Sequence, residues 1–360
     1  MDDRYYMQRC IELARKGAGF VNPNPMVGAV IVKDGEIIGE GYHEKFGENH
    51  AERNALKNCK KSPNGATLYV TLEPCCHYGK TPPCTEAIIE NKIAKVVIGT
   101  LDINPLVAGK GARILKDNGI NVTVGILEAE CRKLNKIFNK YMSTKRPYVL
   151  MKYAMTSDGK IATKNGESKW ISGECARSIV HDYRNNLSGI MVGVNTILVD
   201  NPNLNARKSP FINPVRIICD TYLRTPLDSK VVTTASEIPT IIATSIGDDR
   251  CKDYEKFGCK ILEIPKNGDD IDLRILMQQL GQMGIDSILL EGGATLNYSA
   301  LSEKIVDEID IFMAPKIFGG NGKSPVEGAG IEHIADEIKL RTIEVSKVGE
   351  DILVESEVVY

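Results

Sequence analysis

Long hydrophobic runs are missing from this chain. No stretch approaches the ~18 consecutive apolar residues of a membrane-spanning helix, and the first residues are acidic where a signal peptide would be apolar. Ten cysteines among 360 residues are too sparse for a disulfide scaffold. These absences predict a cytoplasmic protein without membrane partners, whose thiols are reduced or bound to metal.

The chain also lacks a large excess of charge of either sign. Lys and Arg number 45 and Asp and Glu 47, for a net charge of −2. This balance argues against a strongly basic nucleic-acid binder. The hydrophobic share of 42% and charged share of 26% are ordinary for globular proteins. At ~150 residues per domain, the length predicts two domains.

A polar segment at 143–147, ended by a proline that cannot continue a helix, is the predicted domain boundary. The domains would then span 1–145 and 146–360. In the first, 28–32 and 37–41 flank an Asp-Gly turn signal and predict a hairpin. Apolar residues at 127, 131, 134, 138 and 141 predict one helix with a buried face.

The second domain alternates strand and helix patterns, which favours an α/β fold with a largely parallel sheet. Ser172 is expected to cap a helix that carries Cys175, Ile179 and Tyr183 on one face. The segments 341–348 and 352–360 predict an antiparallel hairpin at a sheet edge. Further strands are predicted at 148–154, 189–194, 215–220, 240–244 and 287–290, and helices at 273–283 and 295–302.

Three candidate zinc ligands stand in the first domain. His50 is followed by Cys75 and Cys84, each directly after a proline. Imidazole and two thiolates are preferred zinc ligands, and they leave a fourth position for water, whose pKa zinc lowers toward neutrality. Glu52 would move a proton from that water to a leaving amine, as the corresponding glutamate does in zinc deaminases.

The local sequence supports these ligands and leaves one alternative open. Cys84 opens a helical pattern, and a helix N-terminus favours the thiolate. Because residues two apart do not share a helix face, His50 and Glu52 are expected at the irregular start of a helix. A fourth ligand, Cys76 or His77, would instead close a purely structural site and leave Glu52 without a role.

The same residues resemble a known family. His50-Ala-Glu52 and Pro-Cys75-Cys-His77-Tyr-Gly-Lys80-Thr-Pro-Pro-Cys84 are similar to the deaminase half of the bifunctional riboflavin-biosynthesis deaminase/reductases. Eight residues separate the two cysteines, where other zinc deaminases have about two. The resemblance implies a cytidine-deaminase-like fold. It also implies substrate contacts at Asn24, His43, His77, Lys80, Asp102 and Asn104.

Glycines at 292 and 293 are a weak sign of a nucleotide site in the second domain. No Gly-x-Gly-x-x-Gly follows a predicted strand, so the standard Rossmann fingerprint is absent. The segment 291–295 does join a predicted strand to a predicted helix, where a helix N-terminus can hold a phosphate. A tight turn needs glycine in any case, so the pattern alone does not identify a ligand.

The segments 146–162, 167–172 and 193–207 resemble the reductase half of the same family, whose fold is dihydrofolate-reductase-like. The resemblance implies NADPH contacts at Ala154, Trp170, Thr196, Asp200, Thr221, Gly292, Gly293, Ala294 and Thr295. It implies substrate contacts at Ser168, Arg184, Leu204, Arg207 and Glu291. Arginine suits a phosphate because guanidinium binds its oxygens in pairs.

Together the two halves predict an enzyme of two steps with a small phosphorylated pyrimidine as substrate. Zinc-dependent hydrolysis would deaminate 2,5-diamino-6-(5-phosphoribosylamino)pyrimidin-4-one. NADPH would then reduce the ribosyl group, giving 5-amino-6-(5-phosphoribitylamino)uracil. Lys152 is the expected proton donor of the reduction, with Asp200 and Glu291 as alternatives. A homo-oligomer is compatible with this interpretation.

Two rival interpretations follow from the same residues. One is a deaminase of RNA or nucleotides joined to an unrelated binding domain, which the cysteine spacing and the second set of motifs oppose. The other is a structural zinc module joined to a nucleotide-sensing domain, which the open metal position and Glu52 oppose.

Overall fold

The structure, a computed structural model, describes residues 1–79, 82–104, 107–209 and 211–360. It divides into two compact units, Met1–Lys145 and Arg146–Tyr360. Within the described residues, no helix has both the length and the apolar character needed to cross a membrane.

The first unit alternates helices with the strands of one sheet. Its helices are α1 (Asp3–Ala14), α2 (Ala51–Lys57), α3 (Cys84–Glu90), α4 (Lys110–Asp117), α5 (Glu128–Leu134) and α6 (Lys136–Thr144). Its strands are β1 (Gly28–Lys33), β2 (Glu36–Tyr42), β3 (Thr67–Leu72), β4 (Lys95–Thr100) and β5 (Asn121–Val124). The order is β2-β1-β3-β4-β5, in which β1 pairs antiparallel with β2 and β3, and β3, β4 and β5 are parallel.

Both faces of this sheet are buried. Ala29 and Ile31 of β1 belong to a core cluster with residues of α2, α3 and α4, whereas Val30 and Val32 belong to a second cluster with α1 and α5. Successive strand side chains point to opposite faces, so a doubly covered strand is apolar throughout. The hairpin prediction is confirmed, since β1 and β2 pair antiparallel.

The prediction of a single helix over 127–141 was wrong, because two helices meet at Asn135. The buried Asn135 side chain accepts a hydrogen bond from the Met26 N–H at 2.8 Å and donates one to the Met26 carbonyl at 3.0 Å. This long-range pairing lies at the junction of α5 and α6, where the periodicity of apolar residues continues without a break.

The second unit is a larger α/β arrangement. Its helices are α7 (Glu174–Asn186), α8 (Val194–Asp200), α9 (Lys230–Thr233), α10 (Cys251–Glu255), α11 (Leu273–Gln282) and α12 (Ala294–Ser302). Its strands are β6 (Tyr148–Thr156), β7 (Gly189–Gly193), β8 (Val215–Cys219), β9 (Thr240–Thr244), β10 (Lys260–Glu263), β11 (Lys266–Asn267), β12 (Asp270–Ile271), β13 (Ser287–Leu290), β14 (Glu308–Ala314), β15 (Lys339–Val348) and β16 (Asp351–Val359).

The main sheet has the order β10-β9-β8-β7-β13-β6-β14-β16-β15. Pairing is parallel from β10 to β14, and β16 and β15 add antiparallel strands at one edge. The predictions of a largely parallel sheet and of an edge hairpin are therefore confirmed. One core cluster includes α11 and α12, and another includes α8, α9 and α10.

The predicted start of α7 was wrong. Gly173, not Ser172, is the N-cap, and its N–H donates to the Asp351 carboxylate at 2.7 Å. Cys175 is exposed. Ile179 and Tyr183 do pack against a core cluster, so part of the predicted face is buried.

Candidate active sites

The three predicted zinc ligands come from separate segments and meet at one point. His50 is the N-cap of α2, Cys75 follows β3, and Cys84 is the first residue of α3. The His50 Nδ1 atom lies 3.4 Å from the Sγ atom of each cysteine. The Cys84 N–H donates to Cys75 Sγ at 3.3 Å. His50 and Glu52 do stand at the start of a helix.

The spacing of these donor atoms fits a tetrahedral zinc ion. With Zn–S near ~2.3 Å and Zn–N near ~2.0 Å, neighbouring ligand atoms of a tetrahedron are ~3.6 Å apart, close to the separation observed here. All three donor atoms lie within 4.8 Å of one another, and neither Cys76 nor His77 belongs to the group. The geometry therefore favours three protein ligands with one open position over a closed site.

Glu52 lies in the first turn of α2, close to this cluster, and its side chain is buried. Burial raises the pKa of the Glu52 carboxyl, and the charge of Cys75 adds to this rise. Hydrogen bonds from Cys84 and His50 lower the pKa of Cys75, which favours the thiolate that a metal requires. A carboxyl with a raised pKa is suited to carrying protons near neutral pH.

A cavity of about 250 Å³ opens beside the cluster. It collects most of the residues predicted for this domain. They are Asn24, His43, His50, Glu52, Cys75, His77, Asp102 and Asn104. Cys84 is fully buried and does not line the cavity, and Lys80 lies outside the described residues.

Two of the predicted substrate contacts are bonded to each other. The buried His43 ring lies between the Asn49 carbonyl, 3.1 Å from Nδ1, and the Asn24 amide nitrogen, 3.2 Å from Nε2. Burial lowers the pKa of His43, so a neutral ring donates from Nδ1 and accepts at Nε2. Asn24 thus points its amide nitrogen at His43 and keeps its amide oxygen for another partner.

Glu73, which the sequence analysis missed, fixes the loop that carries Asp102. Its buried carboxylate accepts hydrogen bonds from the N–H groups of Asp102, Gly109 and Ala112, at 3.2, 2.8 and 3.0 Å. An acidic residue directly before Pro74-Cys75, at the end of an apolar strand, was the available signal.

In the second unit, the predicted residues gather at the carboxyl ends of neighbouring parallel strands. Ala154 lies near the end of β6, Thr196 follows β7, Thr221 follows β8, and the segment 291–295 follows β13. These four strands are adjacent in the sheet. Ligands of open α/β sheets bind outside this edge of the strands.

Two cavities open there, of about 340 and 440 Å³, and both include Ser168, Gly293 and Ala294 in their linings. The first also takes in Lys152, Ala154, Trp170, Arg184, Arg207, Glu291 and Gly292. The second also takes in Thr196, Asp200, Thr221 and Thr295. Leu204 lines neither cavity, because its side chain is buried in a core cluster, and its contact with substrate stays a prediction.

A buried ion pair dominates the first of these cavities. The Arg184 Nε and Nη2 atoms donate to the two Glu291 carboxylate oxygens at 2.5 and 2.7 Å. Burial lowers the pKa of Lys152 in the same cavity, and Arg184 adds to this effect while Glu291 opposes it. Trp170 is 66% exposed, with the Arg177 guanidinium 4.6 Å from its ring centroid.

Gly292 and Gly293 adopt positive φ angles of 95° and 55° between β13 and α12. Both angles lie where residues with a Cβ are strained, so the turn itself explains both glycines. The absence of any motif around His181 predicts a structural residue, but its side chain lines the Arg184 cavity.

Comparisons with known proteins connect the two units to one family. Residues 1–100 match the family model of the cytidine and deoxycytidylate deaminase zinc-binding region, and residues 147–354 match that of the RibD C-terminal domain. The riboflavin biosynthesis protein RibD of Actinobacillus pleuropneumoniae is 54% identical over 358 residues, which cover 99% of this chain and 95% of that protein. The chain belongs to the RibD family.

Solved RibD structures resemble the whole chain. A diaminohydroxyphosphoribosylaminopyrimidine deaminase/5-amino-6-(5-phosphoribosylamino)uracil reductase from Thermotoga maritima is 39% identical, with a TM-score of 0.90 over 99% of both chains. RibD of Acinetobacter baumannii is 38% identical, with a TM-score of 0.88 over 99% of both chains. The predicted family and fold class are confirmed: this RibD family member is an enzyme of riboflavin biosynthesis with deaminase and reductase activities.

Replacing either thiolate is expected to impair metal binding. Cys84→Ser substitutes a hydroxyl that is a poor zinc ligand at neutral pH, and removing a group that merely supports a ligand already costs ~10–100-fold in affinity. A loss of at least ~100-fold is expected in a chelator competition titration. Cys175→Ser, at an exposed site outside the cluster, is the control. Unchanged zinc content in both Cys75→Ser and Cys84→Ser would show that the ligand set is wrong.

Breaking the buried ion pair is expected to destabilise the second domain. Glu291→Gln leaves the Arg184 guanidinium without its counter-charge, where side-chain exposure is only 14% for Arg184 and 11% for Glu291. The cost should be ~3–5 kcal/mol in the free energy of unfolding, measured by urea denaturation. Asp248→Asn, in an exposed pair with Arg250, should leave the free energy of unfolding unchanged. The same free energy of unfolding in both variants would contradict this prediction.

Proposed function

We propose that the first domain, 1–145, deaminates 2,5-diamino-6-(5-phosphoribosylamino)pyrimidin-4-one. In this proposal the second domain, 146–360, reduces the ribosyl group of the product with NADPH, giving 5-amino-6-(5-phosphoribitylamino)uracil. The observation that carries the first activity is the convergence of His50, Cys75 and Cys84 beside the buried Glu52, at a cavity wide enough for a pyrimidine.

His50, Cys75 and Cys84 would hold one zinc ion. When bound, zinc supplies a Lewis acid that activates water for attack on the ring carbon bearing the amine. Glu52 would take a proton from the attacking water and return it to the amine, which leaves as ammonia. Its position in the first turn of α2, two residues after His50, supports this role.

The remaining residues of the first cavity would bind and orient the pyrimidine. Asn24, held by His43, can accept a hydrogen bond from an amino group through its amide oxygen. Burial raises the pKa of Asp102, whose own N–H donates to the Glu73 carboxylate and whose carboxylate accepts from the Asn104 N–H. His77 also lines the cavity and suits the substrate phosphate, with Lys80 predicted to assist.

In the second domain, the nicotinamide cofactor would extend across both cavities, and when bound it supplies a hydride. Thr196, Asp200, Thr221 and Thr295 would contact one part of NADPH, and Ala154 and Trp170 another. The turn at 292–293 would bring backbone N–H groups close to the pyrophosphate at the start of α12. Ser168, Arg207 and the Arg184–Glu291 pair would orient the substrate.

Lys152 is the proposed proton donor of the reduction. Burial lowers the pKa of the Lys152 ammonium toward neutral pH, which makes this group a stronger acid. Glu291 shares its cavity but is engaged by Arg184, and Asp200 is exposed in the neighbouring cavity. These observations favour Lys152 over the two alternatives.

An assay of the full chain tests both activities. The diaminopyrimidinone phosphate is supplied with and without NADPH, and ammonia and NADPH are followed separately. Ammonia is expected in both reactions, and NADPH oxidation only after ammonia has been released. NADPH oxidation without ammonia release would contradict the deaminase assignment, and ammonia release without NADPH oxidation would contradict the reductase assignment.

We also propose the cytoplasm as its compartment. No disulfide joins the ten cysteines, all of which are among the described residues, and a reducing environment would keep the Cys75 and Cys84 thiolates available to metal.

A further inference from the structure

One face of α7 turns three basic side chains toward the Arg184 cavity. Arg177, His181 and Arg184 follow one another at intervals of four and three residues, the spacing of one helix face, and all three line that cavity. Two of them already contact other residues of the domain. Arg184 binds Glu291, while Arg177 stacks on Trp170 and donates to the Ser172 carbonyl at 2.6 Å.

The third, His181, has an incomplete set of hydrogen bonds. Its Nδ1 atom is buried and has no hydrogen-bond partner among the described residues. A proton on Nδ1 would therefore be a buried donor without an acceptor, which is unfavourable. The neutral ring should carry its proton on Nε2, which makes Nε2 a donor toward the cavity.

The charges around His181 favour an anionic partner for this donor. Burial lowers the pKa of His181, and Arg184, Arg207 and Lys208 lower it further, while Glu291 opposes them. Glu291 neutralises Arg184, and Asp182 pairs with Lys208 at 2.6 Å. The exposed Arg207 guanidinium lines the same cavity and lies close enough to His181 to lower its pKa, so the two side chains can share an anionic ligand.

We propose that His181 binds the phosphate of the reductase substrate, with its Nε2–H donating to a phosphate oxygen next to Arg207. This inference rests on the proposed function, since it adds a binding residue to the same site. A phosphate monoester carries close to two negative charges at neutral pH and accepts several hydrogen bonds. A guanidinium beside a neutral N–H donor matches that chemistry.

Three substitutions of His181 in the full-length protein test the proposal. Each is assayed by NADPH oxidation with the deaminated substrate, either phosphorylated or without its phosphate. His181→Ala and His181→Leu remove the donor and should raise KM for the phosphorylated substrate about 10–100-fold, with kcat within about threefold. His181→Gln keeps an N–H donor and should recover most of the affinity.

Specificity for the phosphate separates this role from a structural one. KM for the dephosphorylated substrate and for NADPH should not change, and inorganic phosphate should compete less well in His181→Ala than in the wild type. His333→Gln, at an exposed histidine elsewhere in the same domain, should match the wild type throughout. His181→Leu fills the ring's space, so it provides the result if the alanine variant does not fold.

Two results would overturn the proposal. An equal rise in KM for both forms of the substrate would show that His181 contacts another part of the molecule. An unchanged KM for the phosphorylated form would show that it makes no contact at all. A wild-type protein unable to reduce the phosphorylated substrate would instead refute the proposed function.

Discussion

Glu52→Gln is expected to lower the rate of deamination by ~10²–10⁴-fold, the usual contribution of a positioned acid or base. Glutamine preserves the size of the side chain but cannot take a proton from water and return it to the amine. Because the metal is assigned to His50, Cys75 and Cys84, zinc content should stay at the wild-type level. Ammonia release and zinc content, measured on the same preparation, check both parts.

A matched substitution distinguishes the role of Glu52 from a general effect of lost charge. Glu90→Gln removes an exposed carboxylate at the end of α3 and should leave deamination unchanged. Full deaminase activity in zinc-loaded Glu52→Gln would refute the proton-transfer role. Loss of zinc from the same variant would mean that Glu52 supports the metal site directly.

Local sequence signals were sufficient to predict the structure of segments whose conformation depends on their own residues. The Asp34-Gly35 pair predicted the turn between β1 and β2, and both residues have positive φ, as a tight hairpin requires. The convergence of His50, Cys75 and Cys84 was predictable for a related reason. Few residue types bind zinc, and the sequence indicated that His50 and Cys84 stand at the starts of helices, where the structure has α2 and α3.

Features that depend on distant partners could not be predicted in this way. Asn135 divides a helical pattern because it bonds to Met26, and Gly173 caps α7 because Asp351 receives its N–H. The strand β14 was missed since it buries Glu308 and Asp310, which are unusual in a strand interior. The hydroxyls of Tyr148 and Tyr183 hydrogen-bond to these two carboxylates.

The same limit applies to the sites. The roles of Glu73 and His181 depend on a loop and a cavity that are formed by residues far away in the sequence. Leu204, inferred from family resemblance alone, lies with its side chain in the core. Resemblance identifies positions, whereas the fold determines whether a side chain or the backbone is available there.

Lys152→Met is expected to lower NADPH oxidation by ~10²–10⁴-fold with the deaminated substrate, while ammonia release stays unchanged. Methionine keeps much of the lysine's length but has no proton to give to the oxygen of the carbonyl under reduction. The two activities should separate because the proposed zinc ligands and Glu52 lie in 1–145, whereas Lys152 and the proposed NADPH contacts lie in 146–360. Lys260→Met, at an exposed position on β10, is the control and should reduce the substrate at the wild-type rate.

Stopped assays on each half-reaction decide between the candidate donors. Normal reduction by Lys152→Met, together with its loss in Asp200→Asn, would move the proton donor to Asp200. Loss of both activities in a folded Lys152→Met protein would mean that the two reactions share a site, contrary to the assignment of one activity to each domain.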